Sequence, residues 1–351
     1  MTPRTVVIAP DSFKGTVSAS DAARAIAEGW LEVSPGDDVL VLPQADGGEG
    51  TLDAIRASVT GSCLRGDWLE LPDGSAVVEL ARVCGITLLD ELDPLGASTR
   101  RLGEAMRDAV ESGATALTVA LGGSASTDGG TGALSALGMR FSGSRGEVLP
   151  DGGGALIHLE SVDRSRIMAV PPLTLLVDVT APLLGPTGAA AVFGPQKGAT
   201  VDHVARLDAG LARLAALMGA DPSEPGMGAA GGTAYGLAAA FGADATSGAE
   251  HVARLTGLDA ALTRADVVIT GEGRFDAQSL TGKVVGGILD RARSAGAVPA
   301  VIAGSVDVDP GAWSASLAEL AGSARAAMAD PLPWLVEAGR RAARDAGRPA
   351  P

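Results

Sequence analysis

A chain of 351 residues that is 46% hydrophobic and 20% charged can bury enough apolar surface to offset its chain entropy, and its length suggests about two domains. Its net charge of −15 argues against nucleic acid or an anionic membrane surface as a partner. Cys63 and Cys84 lack CxxC spacing and are too few for a disulfide framework, and no apolar run is long enough for a membrane span or a signal peptide. A cytoplasmic location is therefore expected.

In chain order, Val6–Ala9 is a short apolar run closed by Pro10, and Ser18 or Ser20 caps a helical stretch reaching Trp30. Val39–Leu42, a Gly-rich turn and helical spacing over Thr51–Ser58 repeat the strand-then-helix pattern. Trp68–Leu71 and Ala76–Glu79 flank Asp73-Gly74, which signals an antiparallel hairpin. Ala116–Leu121 and Leu173–Val179 read as strands, and Val201, Val204, Leu207, Leu211, Leu214 and Leu217 mark one helix face. Toward the end, strands are predicted at Val267–Thr270, Val298–Ala303 and Ala324–Met328, with helical segments starting near Lys283, Ala312 and Leu332. Five strand–helix units imply an open parallel sheet covered on both faces. The two groups stand about 200 residues apart in sequence, so one domain is expected to be split by an inserted mixed α/β domain.

Ligands of open parallel sheets sit beyond the carboxyl ends of the strands. The loops there are PDSFKG (10–15), PQADGGEG (43–50) and GEGRFDAQSLTGK (271–283). The insert adds ALGGSASTDGG (120–130), DVTAPLLG (178–185), FGPQKG (193–198) and GMGAAGG (226–232). The chain has 49 glycines and only three lysines, Lys14, Lys197 and Lys283, each beside a glycine in one of these loops. A compact ammonium and free backbone N–H groups are what phosphate binding requires. The same loops hold Asp11, Asp46, Glu49, Asp128, Asp178, Glu272 and Asp276, oxygen ligands enough for Mg²⁺ with one left as a base. Together they make the parts list of phosphoryl transfer. No GxxxxGK[ST] occurs, GxSxG is absent, and the GxGxxG at Gly226, Gly228 and Gly231 has no strand feeding it. His158, His203 and His251 are scattered without a metal-site spacing.

The motifs APDSFKG (9–15), ADGGEGT (45–51), GGSASTDGG (122–130), GAAAVFGPQKGA (188–199) and ITGEGRFDAQSLTGK (269–283) together resemble the glycerate kinase type 1 family. The resemblance implies a flavodoxin-like doubly wound parallel-sheet domain formed by 1–62 and 265–351, an inserted mixed α/β domain over 63–264, and an active site in the cleft between them. It also implies ATP and Mg²⁺, D-glycerate as acceptor and 2-phosphoglycerate as product, and leaves a homodimer open. Two family asparagines correspond to Thr127 and Ala181 here, so a different small hydroxy acid is the alternative acceptor. A non-catalytic protein binding a nucleotide or small acid is a further alternative.

The expected catalytic groups are Lys14, Lys283 and, as base for the acceptor hydroxyl, Asp46 or Asp178. Asp11, Ser12, Lys197, Arg274, Ser124, Gly228 and Gly231 are expected to bind substrate or phosphate. Asp128, Glu49 and Asp276 are the expected metal ligands.

Overall fold

The computed structural model describes residues 3–281 and 284–346. Lys283 lies outside the described residues. The chain divides into two compact units: residues 1–46, 53–60 and 249–351 form the first, and 47–52 and 61–248 the second. Both contain parallel sheet.

In the first unit, five parallel strands run in the spatial order Trp313–Ser316, Val298–Ala303, Val267–Thr270, Thr5–Ile8, Asp38–Val41. Numbered along the chain this is 2-1-3-4-5, the flavodoxin-like order, and it reverses direction between Thr5–Ile8 and Val267–Thr270. Val6, Val7 and Ile8 are all fully buried because both faces are covered. Val6 and Ile8 pack with Ile26 and Trp30 of helix Ala19–Val33 and Leu335 of helix Leu332–Asp345. Val7 packs on the other face with Leu258 and Leu262 of helix Leu258–Leu262 and Ile288 of helix Val284–Ser294. Ser18 caps the first helix by accepting from the Asp21 N–H.

Two predicted elements exchange character near the end of the chain. Ala324–Met328 forms the helix Ala324–Ala329, and the segment near Ala312, expected to be helical, supplies the strand Trp313–Ser316. The run Ala-Arg-Ala-Ala-Met-Ala consists of strong helix formers, and Ser323 caps it by accepting from the Ala326 N–H. Trp313–Ser316 instead gains a full ladder beside Val298–Ala303.

The second unit holds a six-stranded sheet. Asp244–Thr246, Leu173–Leu176, Leu117–Ala120 and Ala76–Glu79 are parallel neighbours, followed by the antiparallel strands Trp68–Glu70 and Cys63–Arg65. The Asp73-Gly74 hairpin forms with Leu69 opposite Val77. The strand begun at Leu173 stops at Leu176 rather than Val179, where the chain turns out to solvent. Helix Val201–Met218 is capped by Thr200, but its buried stripe is Leu207, Leu211, Leu214 and Met218. Val201 is 86% exposed and Leu217 40% exposed, since a helical face drifts off a core over five turns. The predicted boundary between 264 and 265 falls at 248/249 instead, because Ala253, Leu258 and Leu262 bury their side chains against Val7 and Val268 of the first sheet.

Candidate functional site

In the first unit a pocket of about 410 Å³ opens at the carboxyl ends of the strands, beside the point where strand order reverses. The loops after Thr5–Ile8 and Val267–Thr270 supply Asp11, Ser12, Lys14, Glu272 and Arg274 to its lining. The backbone holds them together as an extension of the sheet: the Asp11 N–H donates to the Gly271 carbonyl at 2.8 Å. Beyond it, Phe13 and Val17 form an isolated antiparallel bridge, with Lys14 and Gly15 at the tip. Gly15 has φ +75, a conformation that other residues rarely adopt, and the turn presents Lys14 to solvent. On the other side, Arg274–Phe275 pairs in parallel with Ser305–Val306, and the Asp307 carboxylate accepts from Arg274 Nε at 2.7 Å.

Asp11 is the electrostatic centre of this pocket. Burial, reinforced by the negative charges of Asp46 and Glu272, pushes its carboxyl up to about 7, while the Ser12 N–H and the Lys14 ammonium oppose the shift. The Ser12 N–H donates to Asp11 Oδ1 at 2.6 Å and fixes the carboxylate in place. A carboxyl half-ionised near neutral pH suits proton transfer. Asp46 thus acts on Asp11 through its charge. Asp276 is engaged in its own loop: its Oδ1 accepts from the Gln278 N–H at 2.8 Å, an Asx turn.

The second unit gathers the remaining sites, and several differ from expectation. Asp128 is fully buried, and its two carboxylate oxygens accept from the Thr99 N–H (2.8 Å), the Thr99 hydroxyl (2.8 Å), the Gly130 N–H (3.0 Å) and the Gly132 N–H (3.2 Å). Burial raises its pKa while these four donors oppose the rise. Three of the donors fall on Oδ2 and one on Oδ1, and together they pin the entry of helix Thr131–Ala136. Glu49 is an exposed turn residue of the second unit. Among the described residues, no three His, Cys, Asp or Glu side chains are grouped to hold a metal ion.

Lys197, expected to bind phosphate, is 2% exposed. Its Nζ donates to the Ser124 hydroxyl at 2.8 Å and to the Ser126 carbonyl at 2.5 Å. Burial pushes the ammonium down to about 8, against the pull of Asp128. Lys197 and Ser124 thereby brace the 122–130 loop. Gly228 and Gly231 stand where backbones approach closely: a Cβ at Gly231 would lie 2.1 Å from the Ser126 carbonyl oxygen, and one at Gly228 2.4 Å from the Pro182 carbonyl oxygen. Thr127 is 1% exposed and its hydroxyl has no hydrogen-bond partner, whereas Ala181 is only partly buried. Asp178 is exposed just past the strand Leu173–Leu176, and its Oδ1 accepts from the Gly248 N–H at 3.0 Å.

Two groups escaped the motif reading. Glu79, at the end of its strand, is buried and accepts from the Gly50 and Leu52 N–H groups at 2.9 Å each, closing the start of helix Thr51–Ser58. Only its position two residues after Val77, at a strand's carboxyl end, could have drawn attention to it. The second group is the apolar side of the pocket, Leu317, Ala324, Ala327, Met328 and Pro331, which the mistaken strand at 324–328 concealed.

A profile of the Glycerate kinase family matches residues 6–346. The chain is 39% identical over 331 residues to the glycerate kinase of Bacillus subtilis (strain 168), covering 88% of this chain and 86% of that one. It is 38% identical over 330 residues to the glycerate 2-kinase of Escherichia coli (strain K12), covering 87% and 86%. A crystal structure assigned as glycerate kinase 2 from Salmonella typhimurium LT2 superposes with a TM-score of 0.82 at 34% identity, covering 98% of each chain. No described helix is long and apolar enough to cross a membrane.

Proposed function

Because the chain belongs to the glycerate kinase family and is a kinase, we propose that it transfers the terminal phosphoryl group of ATP to D-glycerate, giving 2-phosphoglycerate. The observation that carries the reading within this chain is the pairing of Asp11 with Lys14 in one pocket at the carboxyl ends of a parallel sheet. Phosphoryl transfer to an alcohol needs a group to accept the hydroxyl proton and positive charge to balance the transferred phosphoryl. Asp11, with a pKa of about 7, accepts a proton at neutral pH, and Lys14 supplies the charge from a turn that leaves its ammonium exposed.

Asp11 thereby takes the role of base that sequence reading divided between Asp46 and Asp178. Mg²⁺ arriving with ATP keeps most of its water and needs only one or two protein carboxylates. Glu272 in the pocket lining is the oxygen donor suited to it. The metal would balance phosphate charge, and no three-carboxylate cage is required. A location in the cytoplasm, where ATP is available, accords with this reading.

The test is coupled ADP release from Mg-ATP with and without D-glycerate, with phosphorus NMR of the product. Glycerate-dependent turnover with phosphate on the 2-hydroxyl is the expected result; phosphate on the 3-hydroxyl would overturn the product assignment. A second acceptor reading, a related hydroxy acid, is favoured by Ala181, which offers a methyl group where the family carries an amide. ATP turnover with another hydroxy acid and none with glycerate would select it.

A further inference from the structure

The pocket of the first unit has two chemically unlike ends, and the proposed acceptor accounts for only one of them. One side of the lining carries the charged groups: Lys14, whose ammonium is exposed, and Arg274, whose Nε donates to the Asp307 carboxylate, stand there beside Asp11 and Glu272. On the other, Leu317, Ala324, Ala327 and Met328 of the two short helices that follow the fifth strand, with Pro331 at the start of the last helix, form an apolar wall. Glycerate is three carbons carrying a carboxylate and two hydroxyls. It has no apolar surface to bury, so nothing in its chemistry uses such a wall. Met328 is 61% exposed, among the most exposed large hydrophobic side chains of the described residues, and it stands on the pocket lining. A thioether there adapts to a flat ring and makes favourable contacts with its edge.

A nucleotide matches both sides: metal-bound phosphates for the exposed Lys14 ammonium and its neighbours, and a planar heteroaromatic base for the wall. We infer that this pocket is the nucleotide site, with the phosphates toward Lys14 and Arg274 and the base lying on Met328, Ala327 and Leu317. The inference rests on the ATP-dependent reading above and adds to it the position and the residues. The position is also the one open parallel sheets favour, since the pocket adjoins the reversal of strand order. A cavity of about 410 Å³ lies within the range of small-molecule and cofactor sites.

Ala324 is the position at which to block the base. It is exposed in the first turn of its helix, so a large side chain there fills the pocket without entering the core. Binding of Mg-ATP, Mg-ADP and Mg-tripolyphosphate is measured by calorimetry on wild type, Ala324→Trp and Met328→Asp, beside steady-state kinetics. Both variants should weaken ATP and ADP binding at least tenfold and leave tripolyphosphate within twofold. The KM for ATP should rise at least tenfold while that for glycerate stays within twofold. ATP affinity unchanged in both folded variants, or a rise in the glycerate KM alone, would overturn the inference. A wild-type protein that binds ATP no more tightly than tripolyphosphate would also overturn it. A protein that binds ATP, loses it in the variants and phosphorylates only another hydroxy acid would uphold the nucleotide site and overturn the acceptor.

Discussion

Replacing Asp128 by asparagine separates a carboxylate that holds a loop from one that would hold a metal. The substitution preserves size and removes the charge. If the remaining oxygen stays with Thr99 and Gly132, the new amide nitrogen meets the Gly130 N–H at the 3.0 Å now spanned by a hydrogen bond, donor against donor. One charge-assisted bond, about 1.5–3 kcal/mol, is lost and the others weaken to neutral strength. Relief from burying a charge offsets part of this, leaving a net destabilisation of about 2–4 kcal/mol. For a unit of this size each kcal/mol moves Tm by about 2–4 °C, so calorimetry should show a fall of roughly 5–15 °C. Turnover of the folded variant at 25 °C should stay within about tenfold of wild type, because Asp128 is fully buried and its bonds all run to its own unit. A Tm within 2 °C of wild type, or a stable variant whose turnover collapses with an altered Mg²⁺ requirement, would refute the structural role.

Lys14→Ala should lower kcat/KM by at least ~100-fold and leave Tm unchanged, since the side chain is exposed at a turn; wild-type turnover would remove Lys14 from the mechanism. With Asp11 as base and its pKa at about 7, kcat/KM should climb about tenfold per pH unit below that value and level off above it. Asp11→Asn should abolish this acid limb. Because the folded pKa exceeds the ordinary value of 3.8, the native state keeps a proton that the unfolded chain has shed. The Asp11 contribution to stability is therefore present below pH 4 and fades as pH rises to about 7; the asparagine variant should lack that slope in pH-dependent melting. Gly231→Ala puts a Cβ 2.1 Å from the Ser126 carbonyl oxygen at a residue with φ +64, which should cost at least ~3 kcal/mol. A variant melting within 2 °C of wild type would show that the two loops can separate freely.

The sheet of the first unit was readable because its strands are buried on both faces. Val6–Ala9, Val267–Thr270 and Val298–Ala303 are continuous apolar runs ended by Pro or Gly, and they locate the observed strands to within a residue. Trp313–Ser316 carries no such run: its outer residues Trp313 and Ser314 are not buried, and partnership with Val298–Ala303 makes it a strand. Ala324–Ala329 errs the other way, since a stretch of alanines is apolar enough to imitate a strand while its backbone preference is helical. That exchange mattered for the site, because the helix at 324–329 forms the apolar wall of the pocket. The acids were harder to sort. Asp11 and Asp128 look alike in sequence, each in a Gly- and Ser-rich loop after a strand, and only the three-dimensional donor count distinguishes them: one local N–H on Asp11 against four donors on Asp128.

The lysines show why local pattern stops short of a role. Lys14 and Lys197 both precede a glycine, in a chain with only three lysines among its 27 basic residues. At Lys14 the glycine turns the chain outward, and the ammonium stands in solvent at a pocket lined with acids. At Lys197 the chain turns inward, and the ammonium ends between the Ser124 hydroxyl and the Ser126 carbonyl. A guanidinium would bring five donors where two acceptors wait, so the buried position needs lysine for its size and donor count. The exposed one favours lysine for a different property, a mobile point charge that can follow a phosphate. One residue preference thus meets two settings: Lys197 is buried and holds a loop together, and Lys14 stands exposed on the pocket lining.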